Sequence, residues 1–184
     1  MAKSEPWYIH AGLYLAIIIL AIILIKVAII DPKAAVEVEQ YYKNEAHLRM
    51  TNLKQGEIIW QQKYGKFTGN LDSLVNFIKT DPKVDSVMHG FDTLSNRPTN
   101  PFVPLTSGSF TPESLYFSPR THQKFFLEVD TTTSADTVIN RSGKITRIDS
   151  TTTMGNLYYL EDPDGSGSIG STTDQALKNT ASWE

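Results

Sequence analysis

The residues best suited to chemistry lie together late in the chain, in DPDGSGSIGSTTD, residues 162–174. Asp162 and Asp164 alternate, Ser166 and Ser168 continue the spacing, and Asp174 comes last. Hard oxygens at alternate positions suit a hard divalent cation. A calcium loop of EF-hand type takes ligands from positions 1, 3, 5 and 7, with glycine at 6, an apolar residue at 8 and a bidentate glutamate at 12. Asp162, Asp164 and Ser166 fill positions 1, 3 and 5, Gly167 falls at 6, the Ser168 carbonyl at 7 and Ile169 at 8. Thr173 stands where the glutamate belongs, and Asp174 is one place late. Such a set predicts a weak calcium site, suited to millimolar calcium outside the cytoplasm. A Gly/Ser turn without an ion explains the same residues, and both readings stay open.

Nothing else in the chain reads as a site for catalysis. The four histidines, His10, His47, His89 and His122, have no metal-ligand spacing. No glycine-rich phosphate loop follows a strand, and no serine sits in a nucleophile elbow. The absence of cysteine excludes disulfides, thiolate nucleophiles and iron–sulfur clusters. The chain is therefore expected not to be an enzyme. With 17 basic and 20 acidic residues the net charge is -3, which gives no electrostatic reason to expect a nucleic-acid partner.

The elements that must carry the loop divide sharply. Residues 1–10 are a flank with Trp7 and Tyr8 placed as an aromatic belt and His10 as an interfacial residue. Residues 11–30, AGLYLAIIILAIILIKVAII, are apolar except for Lys26. As a helix they span about 30 Å, the thickness of a hydrocarbon core. They show no polar face, unlike a buried core helix, and no small-x-small cleavage site. A single transmembrane helix is expected, with Lys26 snorkelling to the interface.

Residues 31–94 are expected to form a helical stem and a short helix. From 33 to 64, Val38, Tyr42, Ala46, Met50, Leu53 and Trp60 recur mostly three or four residues apart and predict one long helix with an assembly face. Asn70 is placed to cap a short helix running to Lys79. Residues 95–112 contain four prolines and predict a loop. In residues 113–184, the runs ESLYFSP, KFFLEVD, DTVIN, KITRID and NLYYLED predict short antiparallel strands, with NRSG as a hairpin turn and TTTSAD and STTT as loops or strand edges. The expected fold class is α+β: an N-terminal transmembrane helix continuing into a long amphipathic helix, packed on a small antiparallel sheet.

This order of parts resembles that of type IV pilin-like proteins, most of all a major pseudopilin of type II secretion. LRMTNLKQGEIIWQQKYGKFTGNLDSL resembles the family's helix and following turn, RPTNPFVP its asparagine-proline-aromatic loop, and YYLEDPDGSGSIGSTTDQALKNTASWE its calcium-binding tail. Asp164-Gly165 falls at the family's Asp-Gly, and Trp183 at its closing aromatic. The family also carries a glutamate five residues into the apolar run, next to a processing site. Here Gly12 is followed by Leu13 and no acid lies between residues 6 and 30, so the anchor is expected to stay uncleaved.

The resemblance implies a structural subunit of an envelope filament or secretion machine, partnered by the membrane and by copies of itself or other subunits. A single-span accessory subunit of a larger membrane complex is the alternative. It places the chain in the bacterial inner membrane with the C-terminal domain periplasmic or extracellular. Counting lysines opposes that orientation, since Lys3 precedes the span while Lys26, Lys33 and Lys43 follow it. With Lys26 inside the membrane edge the opposing margin is small.

Overall fold

The computed structural model describes residues 7–94, 96–139 and 144–184. The expected NRSG turn, residues 140–143, lies outside them, as do Lys3 and Glu5. The chain is α+β and forms two compact units that divide after Tyr42, within the second long helix.

The first unit is helical. Helix α1 runs Trp7–Ile25, one wide π turn covers Lys26–Ile30, and α2 begins at Asp31 and ends at Tyr64. Pro32 accounts for the wide turn. It has no N–H to give to the carbonyl of Ala28, and its ring would collide with that carbonyl in a regular α-turn. The chain instead widens, and the Asp31 N–H donates to the carbonyl of Lys26, five residues back. No residue of α1 is buried. The run from Trp7 to Tyr64 is the one helix among the described residues that is long and apolar enough to cross a membrane, by length and composition.

The second unit is built around the rest of α2. Ala46, Met50, Leu53 and Ile59 bury at helical spacing, and Gly56 sits among them. A glycine costs about 1 kcal/mol in a helix interior, but a Cβ at this position would collide with the side chain of Ile78. The missing side chain is what lets α3, Leu71–Thr80, lie close against α2. Asn70 caps α3 as expected, its Oδ1 accepting the Ser73 N–H at 2.9 Å. A short α4, Pro82–Met88, follows with Asp81 as its cap. It is too short for its spacing to be visible in sequence.

Strands β1, Phe91–Asp92, and β2, Arg97–Pro98, pair as a small ribbon, the second within the proline-rich segment. The main sheet has the order β3–β4–β5, all antiparallel, from Phe126–Ile139, Ile145–Glu161 and Ser168–Gly170. Four of the expected short strands merge into two. Most of KFFLEVD and the first four residues of DTVIN belong to β3, and most of KITRID and NLYYLED to β4, because the threonine-rich stretches between them stay paired, Thr132 opposite Thr153 and Thr133 opposite Thr152. β-Branched residues fit that pleated pairing.

ESLYFSP is not a strand. Residues Pro112–Tyr116 form a 3₁₀ turn, and only Phe117 bridges to Lys124. Pro112 presets the helical φ at the first position, and the Ser114 N–H closes on the carbonyl of Thr111 at 3.0 Å. The turn drops Leu115 into a core shared with Met50, Leu53, Leu74, Tyr158, Leu160 and Ile169.

Candidate functional site

The loop of residues 162–174 leaves the end of β4 and returns as β5. Its first turn is closed by backbone bonds: the Gly165 N–H donates to the carbonyl of Asp162 at 3.0 Å, and the Asp162 N–H to that of Gly167 at 3.1 Å. Ile169, wholly buried opposite Leu160, pins β5 into the core. Gly167 has φ +148°, and a Cβ there would lie 2.6 Å from the Trp183 ring.

The five predicted ligands take different tasks within this frame. Asp162 is buried. Its Oδ2 accepts the Ser166 N–H at 3.2 Å, and its Oδ1 has no partner. Asp164 turns to the neighbouring segment, where its carboxylate accepts from the Ser118 hydroxyl, the Thr121 N–H at 3.1 Å and the Thr121 hydroxyl at 2.6 Å. Burial pushes the Asp164 carboxyl up, but those hydrogen bonds and the nearby Arg120 outweigh it and hold it below the usual carboxylate range. The Ser166 carbonyl accepts from His47 Nε2 at 2.8 Å, and the Ser168 carbonyl from the Ser182 N–H at 2.8 Å. Asp174 caps a 3₁₀ turn, Gln175–Leu177, by accepting the Ala176 N–H at 2.8 Å. Among the described residues no three acidic or histidine side chains gather as a metal-holding group.

Residues that sequence reasoning passed over hold this loop. His47 of α2 stacks flat on Trp183, ring centres 3.9 Å apart and 6° from parallel. Lys54 of α2 donates to the carbonyl of Asn179 at 3.3 Å and lies 3.6 Å from the Glu184 carboxylate. Residues 180–182 run beside β5: the Gly170 N–H donates to Thr180, and Ile169 bridges Ala181. The spacing of His47 and Lys54, two turns apart on one helix face, was the available signal.

No protein-family model, curated protein or solved structure matches the chain.

The predicted assembly face divides in two. Ala46, Met50 and Leu53 are wholly buried in the domain's own core, so they are not free to meet another subunit. Trp60 is half-buried against Tyr64 and Phe77. Val38 is exposed, and Tyr42, half-buried, lies edge-on to Tyr41.

Chemically, the loop offers one buried, unpartnered carboxyl oxygen, Asp162 Oδ1, in a tight turn. That is a partial fit to calcium, which takes six to eight oxygens. Asp164 would have to release Ser118 or Thr121 to join it.

Proposed function

We propose that this protein is a membrane-anchored structural subunit, pilin-like in its order of parts and most like a major pseudopilin, serving an envelope filament or secretion machine. Its anchor crosses the bacterial inner membrane once, and the α+β domain works in the periplasm or outside the cell. One observation carries the reading. A single helical run from Trp7 to Tyr64 begins as an apolar stretch with nothing buried and ends by giving Met50, Leu53 and Ile59 to the core of a small domain.

The accessory-subunit reading draws on the lack of any acidic residue from Trp7 to Ile30, which leaves no intramembrane carboxylate to neutralise a neighbour. A weak calcium ion at the 162–174 loop is part of the proposal, and the unpartnered Asp162 Oδ1 supports it.

Copy number separates the two readings. Two differently tagged full-length copies are expressed together, extracted in detergent and purified through one tag. Recovery of the second tag, with repeating material in images of sheared cell surfaces, is expected of a structural subunit. Recovery of one copy per larger complex would replace it with the accessory reading.

A further inference from the structure

The main sheet changes character along its length. At the core end, residues 126–129 pair with 158–161, and Leu127, Tyr158 and Leu160 are buried. The register then slips. Val129 stands opposite Tyr158 but Thr131 opposite Met154, so residues 155–157 face Asp130 alone. This bulge is fastened: the Leu157 N–H donates to Asp130 Oδ1 at 2.6 Å, and the Phe67 N–H to the Gly155 carbonyl at 2.7 Å. Beyond it, residues 131–139 and 145–154 run on as a two-stranded arm. Thr152, Thr153 and Met154 are all exposed, and successive strand residues lie on opposite faces, so neither face is covered at the base of the arm. β5 pairs only with residues 159–161, so among the described residues no strand lies along the outer edge of β4 from 145 to 154.

A two-stranded ribbon is marginal alone in water. A bare strand edge about 33 Å long offers its N–H and C=O groups as a template for another strand. The arm also carries an internal conflict. Asp136 stands directly opposite Asp149, and like charges so placed destabilise a strand pair. Arg147 lies two residues from Asp149 on β4, on the same face, and β3 holds no basic residue. Laid antiparallel against β4 of a second copy and centred on Arg147, the strand would set arginine against arginine. Centred on Asp149, it would set aspartate against aspartate. Centred on Ile148, it sets Arg147 opposite Asp149 twice. Each Asp149 then stands between Asp136 of its own chain and Arg147 of the other. Against β3 of a second copy, Arg147 could meet Asp136, but Asp149 would meet no base.

We propose that the outer edge of β4 pairs antiparallel with the same edge of a second copy, about a two-fold axis at Ile148. Main-chain hydrogen bonds supply the adhesion, since exposed ion pairs are individually weak, and the charges set the register. Both copies use the same edge, so the contact closes as a pair. The inference rests on the structural-subunit reading for its second copy, and names a surface on the sheet.

The lack of native cysteine makes thiol cross-linking specific. Full-length copies with different tags are co-expressed in membranes and mildly oxidised. In the proposed register Thr146 falls opposite Ser150 of the other copy, within disulfide reach, whereas the two Thr146 positions lie about 13 Å apart along the strands, beyond it. Thr146→Cys beside Ser150→Cys is therefore expected to link about tenfold more than Thr146→Cys with itself. Arg147→Asp in both copies should abolish the excess. Adding Asp149→Arg should restore it, which separates lost pairing from a lost fold. Strongest linking of Thr146→Cys with itself would overturn the register. Strongest linking of Thr146→Cys to Thr137→Cys would seat β3 on this edge and overturn the two-fold pairing. Co-purification of the tagged copies without any of these links would overturn this edge and leave the structural-subunit reading standing. Without co-purification both fall.

Discussion

Helix α2 buries two glutamates, Glu45 and Glu57, at opposite ends of the part that enters the domain, and they end up in opposite states. Glu45 receives the Thr106 N–H at 2.9 Å, the Thr106 hydroxyl, and Arg49 at 3.0 Å. Burial alone would push its carboxyl up, but these donors outweigh burial and hold it below its ordinary value. Glu57 receives one bond, from the Thr68 N–H at 3.1 Å, and its Oε1 has no partner. Burial lifts its carboxyl to about 8, against which the single bond counts for little. The Tyr158 hydroxyl, also without a partner, is pushed up by its own burial and by the charge Glu57 would carry. Glu57 lies deeper and has one donor while Glu45 lies nearer solvent and has three, so desolvation and hydrogen bonding drive the two apart in the same direction.

The sharpest test is pH. Between 4.5 and about 8 the folded chain holds a proton on Glu57 that the unfolded chain has lost. That contribution is complete below pH 4.5 and disappears as pH rises through the folded value, a loss on the order of 4 to 5 kcal/mol. Urea unfolding of the full chain in detergent should show stability falling from pH 5 to pH 8.5, with Glu57→Gln flattening the slope. Equal slopes in both proteins would end the contrast.

Glu45 should behave with the other sign. Its folded value lies below the unfolded one, so its contribution is present above the ordinary carboxylate range and is lost as pH falls through the folded value. Glu45→Ala strands the Thr106 N–H and Arg49, and a loss of about 2 to 4 kcal/mol in the same unfolding assay is expected. Glu45→Gln, which still accepts, should lose less.

The C-terminal loop repeats the contrast on a smaller scale. Asp164 has three donors and Asp162 Oδ1 has none. Asp164→Ala is expected to destabilise by about 2 kcal/mol, and Asp162→Asn by under about 1 kcal/mol. If Asp162→Asn proves the more damaging in calcium-free buffer, the donor argument fails there.

The smallest effect concerns calcium itself. With a dissociation constant on the order of 10⁻⁴ to 10⁻³ M, calcium at ten times that value would add about 1.4 kcal/mol. The full chain should then melt higher in millimolar calcium than in chelator, and Asp162→Ala should remove the difference. Identical melting of the unaltered protein in both buffers would reduce the loop to a turn.

The parts legible in the sequence are those governed by one local rule. The apolar run of α1, the three-four spacing of α2 and the Asn70 cap each depend on neighbours within a turn or two. The Asp162 loop was visible as a motif, but the destination of the Asp164 carboxylate was not. Ser118 and Thr121 reach it from 46 and 43 residues away, and no spacing encodes that meeting. The same limit hid Glu57, whose environment is supplied by β4 and by the turn at Thr68. ESLYFSP misled because its aromatic and apolar residues favour strands, while Pro112 had already set the backbone to turn. Ala46, Met50 and Leu53 were correctly periodic, but periodicity reports a covered face without saying whether the cover is the same chain or another.

The stacking of His47 on Trp183 has a consequence in time. During synthesis α1 and α2 leave the ribosome first, while Trp183, which closes over His47, comes last. About 120 residues separate Tyr64 from Trp183. At roughly 5 to 20 residues per second, α2 waits on the order of 6 to 24 seconds for the last part of its cover. Through that interval the nascent domain is a half-built core. Its safety then depends on chaperones and on how densely ribosomes are spaced, and the C-terminal segment carrying Trp183 acts as the latch that ends the exposure.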